Sequence, residues 1–274
     1  MLALVAAGCG HFSAAPPPPL VVAPPVVVPA VRAARPPAPR HLACIEDPRI
    51  DVWERRLRSN PDLRQSVRET LVRARWYLPR VRRIFVKQGL PASLALLPVI
   101  ESEFYRTAQG QLDDRGLWQL RVATAQQYGL VVNARRDQRL HPYHASRAAA
   151  RYLHALHRRY HDWPLALAAY NAGENRIDRL RGCIPRATFW ELVDMGQLPS
   201  TTADYVPRFL ALVRITDGTT VCNSEPAVQM ARTKPAPTAL AAAQTRRTQS
   251  PCTGGSAPVG ADSAARARNS GLGL

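Results

Sequence analysis

The apolar run Leu94–Ile100 ends in two carboxylates, Glu101 and Glu103, in the stretch "LLPVIESEF". Burying an ionised carboxylate is costly, so chains usually keep Glu away from such runs. Residues 91–100 are apolar on every side, and the helix they form is expected in the middle of a domain. Glu101 then emerges at the end of a buried helix, with two readings. One is a helix-end carboxylate that reaches solvent or a salt bridge. The other is a carboxyl at the floor of a cleft. There, partial desolvation raises its pKa, holds it protonated near neutrality, and lets it give a proton to a leaving oxygen. Glu103, pointing elsewhere on the helix, reads as a solvated charge.

Three later segments align with Glu101. "GLWQ" is Gly116-Leu117-Trp118-Gln119, "AAYNAGENRI" contains Tyr170 and Asn171, and "TTADYVPRFLAL" contains Tyr205. Singly, Gln119 or Asn171 would cap a helix, and Tyr170 and Tyr205 would be core aromatics with wet hydroxyls. Taken in order at these spacings, they form a specific set.

The elements around them read as mainly α. Val67, Leu71, Ala74, Leu78, Val81 and Phe85 recur at spacings of three or four, which predicts a helix closed by Gly89. Leu90-Pro91 opens the next, with proline at a favoured first position. "HASRAAARYLHALHRRY" is a further helix, and "PLALAAYNAG" a short buried one closed by Gly173. The one segment compatible with a β hairpin is "FYRTAQGQLDDRG", residues 104–116.

The flanks differ in kind. "MLALVAAGCG" places Ala6-Ala7-Gly8 before Cys9, as in a bacterial lipobox, so residues 1–13 read as a signal segment with lipid on Cys9. Residues 14–45 read as a linker: the stretch 14–40 holds ten prolines and no acid, and favours an extended spacer that stands a domain off a membrane. Residues 223–274 contain no aromatic residue and read as a disordered tail. The globular part is 46–222. It carries all five tryptophans and 18 of the 20 acids.

Net charge is +17, almost all arginine, which suits anionic partners. No helix-turn-helix, zinc motif or aromatic–basic strand pattern supports nucleic acid among them. No stretch has the roughly 18 apolar residues of a membrane span. The five cysteines form no CxxC pair, and Cys183–Cys222 is the first guess for a disulfide. His154, His157 and His161 share one helical face at metal-ligand spacing. Arg158 and Arg159 lie between them without nearby cysteines or a carboxylate pattern, so a solvated face is preferred and no metal is expected.

The series "ES", "GLWQ", "AYNAG", "YVPRFLAL" resembles the catalytic domain of lytic transglycosylases of the soluble-lytic-transglycosylase type, relatives of goose-type lysozyme. "FWELVDMGQLPSTTADYVPRFLAL" resembles the membrane-bound murein branch most. The resemblance implies a lysozyme-like helical domain with a catalytic cleft and no cofactor. It implies that Glu101 protonates the oxygen between N-acetylmuramic acid and N-acetylglucosamine in peptidoglycan glycan strands. The ionised Glu101 would then take a proton from the muramic C6 hydroxyl, which attacks C1 and leaves a 1,6-anhydro end. Ser102 would hydrogen-bond near the glutamate or the substrate. Gln119, Tyr170 and Asn171 would line the cleft, and Tyr205 would orient Glu101. Amides and phenols suit this work because they add no charge that would spoil the acid. With a lipid at Cys9, the setting is the periplasmic side of the envelope of a Gram-negative bacterium, anchored to the outer membrane.

The segment "TAQGQLDDRG" departs from the small-residue loop usual there. An acid about a dozen residues past the glutamate resembles the second carboxylate of goose-type lysozymes. Asp114 or Asp113 would then hold a water and make the chain an inverting muramidase, its carboxyls roughly 6.5–9.5 Å apart. A surface turn of Asp113, Asp114 and Arg115 is preferred. A further alternative is a non-catalytic wall-binding protein whose altered loop has cost it turnover.

Overall fold

Proline placement sets where most helices begin. The computed structural model describes residues 41–218. It holds α1 (Pro48–Ser59), α2 (Pro61–Ala74), α3 (Leu78–Lys87), α4 (Leu97–Glu101), α5 (Val122–Gln127), α6 (Pro142–Tyr160), α7 (Trp163–Ala172), α8 (Glu174–Cys183), α9 (Phe189–Asp194) and α10 (Ser200–Asp217). The helices α1 to α4, α6 and α7 each carry proline at one of their first two positions. There the missing N–H costs nothing and the fixed φ is already helical. Asp47, Asn60 and Asp162 cap α1, α2 and α7 through their side chains, and Thr188 with Glu191 forms a capping box on α9.

The helix expected through residues 63–88 is two helices. Its apolar spacing runs on across a turn at 75–77, but Pro79 has no N–H to continue the ladder, so α3 starts afresh at Leu78. After Gly89, at φ +72°, the chain enters a 3-10 turn, Ala92–Leu96, before α4. Every residue from Ser93 to Glu101 is buried, between α3 and α10. The expected burial of this run therefore holds.

β structure is small and sits later than expected. Strands β1 (Val132–Asn133) and β2 (Arg136–Asp137) pair antiparallel, with Val132 opposite Asp137. The Asn133 side chain accepts from the N–H groups of Arg135 and Arg136 and shapes the turn between them. Residues 104–116 form no hairpin; they carry only the single bridge Gln109–Arg115, and Arg115 bridges onward to Leu120. Charged, glycine-flanked residues there favour turns over a ladder.

Helix α10 is the scaffold for the far side of the domain. It packs along α1, where the Trp53 indole donates to Asp204 at 2.7 Å. Its Arg214 donates to the carbonyls of Ala43 and Ile45, tying down the buried segment Leu42–Ile45. Cys183 is disulfide-bonded, and so is Cys44. Cys222, the guessed partner of Cys183, lies outside the described residues, as do Cys9, the proline-rich stretch to residue 40 and the tail from 223 onward.

Candidate active site

Glu101 is the last residue of α4 and is 3% exposed. The carbonyl of Pro98 holds this helix end, accepting from the backbone N–H of Ser102 and of Phe104. The next two residues turn sharply: Glu103 and Phe104 both have left-handed backbones, at φ +50° and +58°. Such a pair is uncommon outside glycine and needs support. Arg73 supplies it, donating to the Glu103 carbonyl at 2.9 Å and reaching its carboxylate at 3.4 Å. Glu103 is thus half-buried and paired with Arg73, not the solvated charge its position suggested.

The four motifs meet through a closed circuit of hydrogen bonds. Tyr205, on α10, donates its phenol to Glu101 Oε1 at 2.5 Å. Ser102 donates its hydroxyl to the Leu117 carbonyl at 2.8 Å. Tyr170, on α7, donates to the neighbouring Trp118 carbonyl at 2.7 Å. Thr202, one turn before Tyr205, donates to Asn171 Oδ1 at 2.9 Å. Glu101, Ser102, Gln119, Tyr170, Asn171, Thr202 and Tyr205 are all buried. Buried polar groups of this kind are stable only when satisfied, so each link constrains its neighbours.

Trp118 anchors the circuit to the core. Its ring stacks on Phe85 at 5.2 Å, and its indole donates to Ser146 on α6. Helix α7 presents Tyr170 and Asn171 at its C-terminal end, where Gly173 adopts φ +90° and closes the helix. Thr202 is the residue that reading the sequence missed. Nothing in one threonine among "TTADY" signals that it holds an asparagine 31 residues away. Thr202→Val keeps the shape but removes the donor and leaves Asn171 Oδ1 buried without it. We expect a loss of about 1–3 kcal/mol of stability, checked by chemical denaturation.

The loop between Glu101 and Trp118 is built around two glycines and a buried arginine. Gly116 has φ +75°, and a Cβ there would lie 2.1 Å from the Arg139 carbonyl oxygen. Gln119, itself at φ +46°, gives both its amide hydrogens to the carbonyls of Ala108 and Gly116. Arg139 is 2% exposed and donates to Asp137, to the Asp113 carbonyl and to the Leu120 carbonyl. Burial pushes the Asp137 carboxyl upward, but the hydrogen bonds and charge of Arg139 outweigh it, and the net shift is down.

Asp113 and Asp114 do not form one surface turn. Asp113 is exposed and pairs with Arg115 at 2.8 Å and with Arg139 at 3.3 Å. Asp114 is 2% exposed, because its carbonyl accepts from Gly110 and the loop folds its side chain inward beneath that glycine. Of the histidines, His157 stacks on Trp163 at 4.0 Å, while His154 and His161 are exposed. Burial first, then the neighbouring imidazoles, hold His157 below its ordinary pKa. Among the described residues no group of three or more His, Cys, Asp or Glu is placed to hold a metal ion.

Residues 86–189 match the family described as Transglycosylase SLT domain. Over 151 residues the chain is 32% identical to membrane-bound lytic murein transglycosylase D of Escherichia coli (strain K12), covering 53% of this chain and 32% of that protein. The protein of the same name from E. coli O6:H1 matches equally. A protein of Alteromonas sp. (strain M-1) named for tributyltin chloride resistance is 38% identical over 108 residues, covering 39% of this chain and 52% of that protein. The chain thus spans about a third to a half of the length of these relatives. The matched segment includes Glu101, "GLWQ" and "AYNAG", the motifs that close the hydrogen-bond circuit with α10. Residues 86–189 are therefore similar to the Transglycosylase SLT domain, and two of the relatives matched are lytic murein transglycosylases.

Proposed function

We propose that the chain cleaves the β-1,4 bond between N-acetylmuramic acid and N-acetylglucosamine in peptidoglycan as a lytic transglycosylase. Glu101 is its general acid and then its general base. Its proton passes to the glycosidic oxygen as the bond to muramic C1 breaks. The substrate's N-acetyl group stabilises the cation-like C1. The carboxylate then takes the proton of the C6 hydroxyl, whose oxygen bonds to C1. A 1,6-anhydro end forms, no water is consumed, and the carboxyl is restored.

The observation that supports this most is the setting of Glu101: a buried carboxyl at a helix end, hydrogen-bonded to Tyr205. Burial favours the neutral acid over the carboxylate, and a fixed phenol orients it. The remaining motif residues divide the work. Ser102 and Tyr170 hold the backbone of Leu117 and Trp118. Gln119 has given its hydrogens to the loop, which leaves its amide oxygen to a sugar N–H. Asn171 has its oxygen held by Thr202 and offers a sugar its amide nitrogen. Asp113 is engaged by two arginines, which argues against it as a water-holding base. Asp114 remains the residue through which a hydrolytic reading would act.

The site of action in this proposal is the periplasmic side of the envelope, with lipid at Cys9 as the outer-membrane anchor and glycan strands as the substrate. Incubating the purified chain with isolated sacculi tests the enzyme against a mere wall binder. Release of soluble muropeptides is the expected result. Co-sedimentation with sacculi and no release would leave only binding.

A further inference from the structure

Helices α2 and α3, with the turn between them, carry eight basic residues and two acids. Arg73 is committed to Glu103, and Arg82 pairs with Asp217 at 2.5 Å. The other six, Arg64, Arg68, Arg75, Arg80, Arg83 and Lys87, are exposed and pair with no carboxylate among the described residues. Arg64 and Arg68 on α2 and Arg75 just past its end border a groove of about 540 Å³. Its remaining lining is apolar, with Leu57, Val67, Leu71 and Ile215 buried or half-buried. Arg80, Arg83 and Lys87 border a second depression, of about 400 Å³, with Arg147 of α6.

Between the two basic rows, in the 75–77 turn, stands Trp76. It is 72% exposed, with the Arg75 guanidinium 4.8 Å from its ring centre. Val72 and Val86 are also more than half exposed. Unpaired cations, an exposed tryptophan and an apolar groove together are what an anionic amphiphile recognises. Its charged head meets arginine, and its apolar part takes the tryptophan and the groove. A glycan strand offers carboxylates, sugar faces and single methyl groups, but no extended apolar chain to fill that groove. The chain's own termini do not complement it either. Residues 1–40 carry three basic residues and no acid, and 219–274 carry six basic residues and two acids.

We propose that the α2–α3 face docks on the surface of an anionic lipid bilayer, with its arginines at the phosphate heads and Trp76 in the interfacial layer. This contact is separate from any lipid on Cys9 and holds the domain itself against the membrane.

The test uses the full chain with Cys9→Ser, so that no acyl chain contributes, and phosphatidylcholine vesicles with or without phosphatidylglycerol. Co-sedimentation should be strong only with the anionic vesicles and should fall with added salt. Trp emission should shift to the blue on binding, and Trp76→Ala should abolish that shift. Arg68→Glu and Arg75→Glu should each weaken binding about fivefold or more. Both positions are exposed, and an unchanged melting curve verifies the fold. Equal binding to neutral and anionic vesicles would overturn the proposal, as would charge-reversed variants that bind like the parent. Loss of sacculus binding in those variants without vesicle binding by the parent would also overturn it, and would assign the face to the wall.

Discussion

Glu101→Gln should lower the rate of muropeptide release by roughly 10²–10⁴-fold and leave binding to sacculi intact. Glutamine matches glutamate in size, and its amide oxygen can still accept from the Tyr205 phenol, so the local packing survives. What is lost is the proton. A general acid is a single irreplaceable group here, since the other motif residues nearby are amides, hydroxyls and phenols. Turnover is followed by release of soluble fragments, and binding by co-sedimentation with intact sacculi. Retained turnover would remove Glu101 from the chemistry. A wild-type chain without turnover would make the mutation silent and leave the wall-binding reading.

Gly116→Ala is expected to have the largest effect on stability. Its backbone, at φ +75°, is left-handed, and the added Cβ would meet the Arg139 carbonyl oxygen at 2.1 Å. Backbone strain of about 1–2 kcal/mol adds to about 1–3 kcal/mol of overpacking, for a loss of about 2–5 kcal/mol. The clash is with main chain, so no rotamer change relieves it. Because Gly116 accepts from Gln119 and donates to Ala108, the displacement would spread through the loop and lower activity too. Gly182→Ala is the control. Gly182 lies in α8 with nothing near its missing Cβ, so alanine there should leave the melting temperature unchanged or slightly raised. Comparable melting curves for the two variants would refute the packing account of Gly116.

Much of the site could be read in the chain because it is carried by local signals. The apolar run before Glu101, the glycine after α7 and the order of the four motifs are all local. Their burial appears in the structure as those signals imply, but the helix expected to open at Pro91 is a 3-10 turn, Ala92–Leu96, and α4 starts only at Leu97. The links between motifs could not be read. They join residues 15 to 104 positions apart, and two of the four acceptors are backbone carbonyls, which look alike in every sequence. Arg139 is one of many arginines, and its burial follows from carbonyls and carboxylates that the fold brings to it. The adjacent acids Asp113 and Asp114 part ways, because a left-handed backbone at Asp113 turns one side chain out and the next inward. The break before α3 shows the opposite failure. Pro79 marked it plainly, but the apolar spacing of Ala74, Leu78 and Val81 ran straight across.

The new ends of the glycan fragments record which oxygen attacked muramic C1. Mass analysis of muropeptides released from sacculi by the wild-type chain should find 1,6-anhydro-muramic ends, each one water lighter than a reducing end. Reducing muramic ends would contradict the account and assign the reaction to water, with Asp114 the first residue to substitute.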